Sequence, residues 1–130
     1  RVFIFGWGWY AEQGKDYGAL KYKNPNSYPV GSLCCSSTHD SESLREFLEN
    51  LSPTQKKNLC DFFSCSSENL RKNILKSLHE SPSRYVINPL QDLLNLAIRI
   101  NTPGSVGEQN WSAIIPLENL ENSLEEYFSD

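Results

Sequence analysis

Three places in the sequence carry residue types suited to chemistry. Thr38-His39-Asp40 sets a carboxylate beside an imidazole, directly after a β-prone run from Ser32 to Ser37. In (β/α)8 barrels, catalytic groups collect where strands end at the C-terminal face. A carboxylate there suits polar substrate binding and stabilisation of developing positive charge. Asp40 equally suits the N-cap of a helix starting at Ser41, and His39 suits a structural histidine. These readings are not exclusive. A metal site would need partners for His39. His79 is the other imidazole, late in a helical stretch beside Glu80, and the cysteines lack zinc spacing, so no metal is expected.

The second place is aromatic. Gly6-Trp7-Gly8-Trp9-Tyr10, followed by Tyr17, Tyr22 and Tyr28, offers flat faces that suit the C–H faces of sugar rings. Packing of these rings against a barrel rim is the equal alternative. The third is Asn101-Thr102-Pro103-Gly104 with Asn110-Trp111. Asn amides bond hydroxyls and Trp111 could cover them; a tight turn anchored by a core Trp fits the same residues. Two other chemistries are excluded by pattern. Gly6-x-Gly8 lacks the third Gly and the following helix of a phosphate cradle. No G-x-S-x-G elbow accompanies the abundant serines.

Elements must hold these residues. Arg1 to Phe5 reads as a strand, residues 6–31 as a long loop, and Ser32 to Ser37 as a second strand. Long loops in compact domains tend to be functional. Leu44, Phe47, Leu48 and Leu51 then fall on one helical face. Ser52 and Gln55 bracket Pro53 in a capping box that opens a second helix, with Leu59, Phe62 and Phe63 inward. A third helix starts near Ser67 and carries Leu70, Ile74, Leu75 and Leu78. Ser81-Pro82-Ser83 breaks it. Arg84 to Asn88 is a third strand, Leu90 to Leu96 a brief helix, and Pro116 opens a last helix. Strands alternating with helices imply a parallel sheet with right-handed crossovers. The fold class is α/β. Three such strands leave open edges by themselves but close a larger barrel well.

Composition narrows the function. The chain has 130 residues, 38% of them hydrophobic and 22% charged, which fits one globular domain. Its net charge of -4 disfavours nucleic acid and anionic membrane as partners. No apolar run approaches the roughly 18 residues of a membrane helix. Cys34, Cys35, Cys60 and Cys65 read as structural free thiols, natural in a reducing cytoplasm. The chain contains no Met and starts at Arg1, so it is expected to be a piece of a longer protein.

Taken together, Ser37-Thr38-His39-Asp40, then Ser83-Arg84-Tyr85-Val86-Ile87-Asn88-Pro89-Leu90-Gln91-Asp92-Leu93-Leu94, then Arg99-Ile100-Asn101-Thr102-Pro103-Gly104-Ser105, then Asn110-Trp111 resemble a known family. It is the 4-α-glucanotransferases, the amylomaltases or disproportionating enzymes of glycoside hydrolase family 77, in their C-terminal portion. The resemblance implies that residues 1–130 are the C-terminal segment of a (β/α)8 TIM barrel, about strands 6 to 8 with their helices. It implies retaining transfer of an α-1,4-glucan segment to the 4-OH of an acceptor sugar. In such enzymes two carboxyl groups lie about 5–5.5 Å apart as nucleophile and acid/base.

The resemblance places those two, an Asp and a Glu, upstream of Arg1, so the isolated chain is expected to be inactive. Asp40 matches the third carboxylate, the transition-state stabiliser. His39, Thr38, Asn101, Asn110 and Trp111 are the implied substrate-binding residues. No metal or organic cofactor is implied. Maltooligosaccharides, starch or glycogen are the implied partners, together with the rest of the barrel upstream. Asn95 departs from the family, which usually has Gly there, and Ser112 to Pro116 lack the usual aromatic or basic residues. A hydrolase of the α-amylase clan and a non-catalytic glucan-binding piece are the alternatives.

Overall fold

Three chain segments run parallel in the computed structural model, which describes residues 1–6, 24–115 and 120. The central strand, β1, is Leu33–Cys34 and its neighbour, β2, is Tyr85–Val86. They pair in parallel, Leu33 with Tyr85 and Cys34 with Val86. On the other edge of β1, Val2 forms an isolated parallel bridge with Cys35. The parallel arrangement expected from the strand–helix alternation is present.

The first segment differs from its reading as a strand. Only Val2 pairs as a strand residue, and residues 3–6 are helical. The Phe3 and Ile4 amides still donate to the Cys35 and Ser36 carbonyls at 2.9 and 3.2 Å. A strand would send Phe3 and Ile4 to opposite faces. The helical turn buries both, at 0% and 4% exposure, so burial outweighs the β propensity of the run.

Between β1 and β2 the chain makes three helices: α1, Leu44–Asn50; α2, Pro53–Phe63; and α3, Leu70–His79. Helix α2 begins as its sequence dictates, with Ser52 and Gln55 in a reciprocal capping box and Pro53 in the first turn. It ends at Ser64 in the left-handed region, φ 50°. Leu70, Ile74, Leu75 and Leu78 of α3 are buried together with Phe3, Tyr28, Cys34, Leu44, Phe47 and Leu59. Burial of each such side chain stabilises the fold by about 2 kcal/mol. Phe63 of α2 packs on Phe3, with ring centroids 6.1 Å apart.

After β2 comes a one-turn helix, α4, Leu90–Leu93. It stops short of Leu96 because Asn95 adopts φ 56°. Asn95 N–H donates to the Asp92 carbonyl and Leu96 N–H to the Gln91 carbonyl, at 3.4 and 2.8 Å. This is a Schellman ending, whose left-handed residue is usually Gly and sometimes Asn.

Of the long loop, residues 7–23 lie outside the described residues, and with them Trp7, Trp9, Tyr10, Tyr17 and Tyr22. The part described contains a 3-10 turn, Pro25–Ser27, capped by the Asn24 side chain. Tyr28 follows it and is buried in the core at 5% exposure. Burial and the neighbouring Cys34 and Cys35 sulfurs push its phenol up to about 12, and Arg1 draws it down. Tyr28 is thus a packing residue rather than a platform for sugars. The last helix falls outside the described residues except for Leu120, which is helical. All four cysteines are free; Cys34 and Cys35 are buried, Cys60 and Cys65 half-buried. No helix among the described residues is long and apolar enough to cross a membrane.

Candidate active-site rim

The segment leaving β1 builds the site. Cys35, Ser36 and Ser37 are buried, and the chain then surfaces at Thr38, His39 and Asp40. A tight turn re-aims it. Thr38 N–H donates to Ser41 Oγ at 2.9 Å and Ser41 N–H donates to the Thr38 carbonyl at 3.2 Å. Helix α1 starts only at Leu44. Its N-cap is Ser43, in a capping box with Glu46. The reading of Asp40 as the cap of a helix at Ser41 is therefore corrected: Ser43 has the partner three residues on that the box requires, and Asp40 is left outside the helix.

Asp40 is consequently available to the surface, with 48% of its side chain exposed. One carboxylate oxygen, Oδ1, accepts from Asn101 Nδ2 at 2.6 Å. The other, Oδ2, lies 3.3 Å from His39 Nε2. The segment 99–101 is laced to the same turn by its backbone. Asn101 N–H donates to the His39 carbonyl at 3.0 Å, and the Arg99 guanidinium donates to the carbonyls of Asp40 and Asn101 at 3.3 and 3.1 Å. Two of the three sequence features thus converge, although 61 residues separate Asp40 from Asn101.

Trp111 joins them. Its ring centroid is 5.0 Å from that of His39, with the planes tilted by 35°. It is held there by a φ of 62° and by its N–H bond to the Ile100 carbonyl at 2.8 Å. Trp111 is 66% exposed, so the alternative of a core Trp anchoring a turn does not hold, and the indole presents an open face. Asn110 behaves as a turn anchor instead. Its Oδ1 accepts from Thr102 N–H, and its Nδ2 donates to the Ser105 carbonyl and hydroxyl. Gly104, at φ 77°, takes the left-handed position this turn needs.

A cleft of about 420 Å³ opens beside Asp40, with Phe5, Glu42, Phe47 and Arg99 among its walls. Its lining is mixed: two carboxylates, one guanidinium and apolar side chains. Among the described residues no three His, Cys, Asp or Glu side chains gather as metal ligands would.

Sequence reasoning missed the group beneath the rim. Asp92 of α4 is fully buried. Its Oδ2 accepts from the Ser36 and Ser37 hydroxyls, each at 2.5 Å, and its Oδ1 accepts from Leu44 N–H at 2.7 Å. Burial raises its pKa above the ordinary carboxylate value, and the serine hydroxyls, the Leu44 amide and Arg71 pull it back down. The available signal was a lone carboxylate amid Leu90, Leu93 and Leu94, a placement that is costly unless fully hydrogen-bonded.

Comparison with known proteins gives a consistent picture. The sequence profile of one family, described as 4-alpha-glucanotransferase, matches residues 5–118. The chloroplastic/amyloplastic 4-alpha-glucanotransferase of Arabidopsis thaliana is 29% identical over 105 residues, covering 78% of this chain and 18% of that protein. The 4-alpha-glucanotransferase of Chlamydia pneumoniae is 31% identical over 119 residues, covering 80% of this chain and 22% of that protein. Among solved structures, amylomaltase from Streptococcus agalactiae in complex with acarbose superimposes with a TM-score of 0.77 at 27% identity. The superposition covers 95% of this chain and 24% of that one. The chain spans about a fifth of the length of the curated relatives it matches.

Proposed function

The chain belongs to the 4-alpha-glucanotransferase family, glycoside hydrolase family 77, and from that premise we propose that residues 1–130 form the closing C-terminal segment of a (β/α)8 catalytic barrel. The first segment, β1 and β2 stand for its sixth to eighth strands. The enzyme moves an α-1,4-glucan segment onto the 4-OH of an acceptor sugar by a retaining mechanism. One observation carries the reading: Asp40 sits at the C-terminal exit of a parallel strand, half-exposed and braced by Asn101. That is where barrel enzymes place catalytic groups.

The chemistry follows from the geometry. As the glycosidic bond breaks, the ring flattens and gains positive charge. A fixed carboxylate beside that ring strengthens its bonds to the sugar hydroxyls as the charge develops, which favours the transition state over the bound substrate. Asn101 holds one Asp40 oxygen, so the carboxylate does not need to reorganise. His39 adds a ring nitrogen for a hydroxyl, and Trp111 supplies an open face for a neighbouring ring. Thr38 and Asn110 serve by holding the two turns. The nucleophile and the acid/base come from elsewhere in the barrel. Maltooligosaccharides, starch or glycogen are the proposed substrates, and the free thiols favour a reducing compartment such as the cytoplasm.

The test is product analysis of the full-length enzyme with maltotriose. Transfer yields glucose and a ladder of longer oligosaccharides with no net gain in reducing ends. A steady gain in reducing ends identifies a hydrolase of the α-amylase clan instead. The isolated chain is expected to give no turnover, and turnover by it overturns the assignment of the other two carboxylates to the rest of the barrel.

A further inference from the structure

The rim segment is tied down at both of its ends by one group. Ser36 and Ser37 precede Thr38-His39-Asp40, and Leu44 follows it. All three donate to the carboxylate of Asp92, the two hydroxyls to one oxygen and the amide to the other. Asp92 is itself held from behind. The Arg71 guanidinium of α3 donates to the carbonyls of Asp92 and Leu93 at 3.2 and 3.1 Å. Asn88, just before α4, accepts from Ser36 N–H through its side-chain oxygen at 2.9 Å. The chain therefore leaves the clamp at Ser37, passes over the rim, and returns to the same carboxylate at Leu44.

We propose that Asp92 is the positioning residue of this site: it sets the height and angle at which Thr38 to Ser43 present Asp40 and His39 to the sugar. The inference rests on the function proposed above. Asp92 is fully buried and so does not meet substrate; it acts through the segment it clamps. The side-chain ties to Asp40, from Arg99 and Asn101, are solvent-exposed hydrogen bonds, which water weakens. The clamp is buried and charge-assisted, so it is the stronger constraint. Position matters steeply here, since a displacement of about 1 Å in a catalytic group can cost roughly 100-fold in rate. Asp92→Asn keeps an oxygen for Leu44 N–H but turns an NH2 toward the two hydroxyls, which must then reverse to accept, and it removes the charge that strengthens all three bonds.

The experiment is a mutant cycle in the full-length enzyme, with maltotriose transfer as the assay and thermal unfolding as the control. Asp92→Asn is expected to lower kcat by roughly 30- to 100-fold with KM changed little. In an Asp40→Asn background the same substitution should cost almost nothing more, because the residue through which it acts is already disabled. An unchanged kcat for Asp92→Asn overturns the proposal. So does an equal fractional loss in both backgrounds, which is the mark of a general structural role. Should Asp92→Asn fail to fold, Ser37→Ala removes a single clamp bond and is expected to lower kcat several-fold, again only while Asp40 is present; full activity overturns the proposal. If the wild-type enzyme transfers no glucan, or Asp40→Asn keeps full activity, the function proposed above fails and this inference falls with it. That outcome is read before any Asp92 variant is compared.

Discussion

Two aspartates lie on either side of one short segment and live in opposite environments. Asp92 is buried, with both oxygens occupied by three protein donors. Asp40 is half-exposed, with one oxygen bonded to Asn101 and the other facing His39 and solvent. A carboxylate in the interior is tolerated only when its hydrogen-bonding capacity is filled, and filling it leaves nothing for a ligand. A carboxylate on the rim keeps its capacity for substrate but fixes little by itself. In the proposed site the pair divides the work: the inner acid would determine where the chain goes, and the outer acid would meet the sugar.

The largest effect is expected at Asp40. In the full-length enzyme, Asp40→Asn is expected to reduce kcat for maltotriose transfer by about 1,000-fold, with the thermal midpoint almost unmoved. A variant with near-normal kcat would remove Asp40 from the chemistry. The reciprocal experiment concerns stability. Asp92→Ala strands two buried hydroxyls and a buried amide, each costing about 1–3 kcal/mol when unsatisfied, so unfolding should become easier by about 3–5 kcal/mol. Asp40→Ala should stay within about 0.5 kcal/mol of wild type. Equal losses for the two variants in a denaturant titration would erase the distinction between inner and outer acid.

The outer acid was a candidate from the sequence and the inner one was not. Spacing alone left Asp40 as readily a helix cap and His39 a structural histidine; the family resemblance is what marked Thr38-His39-Asp40. The helices were plainer: the α3 apolar positions Leu70, Ile74, Leu75 and Leu78 repeat at helical spacing, and Ser52 with Gln55 announced the cap of α2. Asp92 was hidden because its partners are distant in sequence, at positions 36, 37 and 44. No local pattern encodes a bond that only the tertiary fold closes. The first segment failed for a related reason. Val2 to Phe5 has strand propensity, but burial of both Phe3 and Ile4 required a helical turn. Tyr28 and Trp111 each had two readings, sugar contact or packing, and the fold separates them: Tyr28 lies in the core and Trp111 is exposed. Aromatic side chains suit both places, and composition does not choose between them.

Trp111 sharpens the picture of the outer region. Its exposed ring leans on His39 at 5.0 Å, and the site as proposed uses the free face for sugar. Trp111→Ala is expected to raise KM for maltotriose by about tenfold, the equivalent of about 1.4 kcal/mol, with a smaller effect on kcat. A large loss of kcat at unchanged KM would instead mean that the indole acts through His39, aligning it rather than contacting the ligand.

The smallest effect tests how far the inner region extends. Asn95 ends α4 at φ 56°, three residues after Asp92, and its carbonyl accepts from Arg45 of α1 at 3.2 Å. The left-handed conformation costs an alanine about 1 kcal/mol, an asparagine less and a glycine nothing. Glycine returns part of that advantage through the greater freedom of its unfolded chain. Asn95→Ala should therefore destabilise the fold by about 1 kcal/mol, whereas Asn95→Gly should stabilise it by only about 0.3 kcal/mol. If the end of α4 sets the placement of Asp92, the alanine variant should also lose a few-fold in kcat that the glycine variant keeps. Loss of stability at constant kcat would confine the clamp to the carboxylate and its three donors, and leave the helix end as a matter of folding alone.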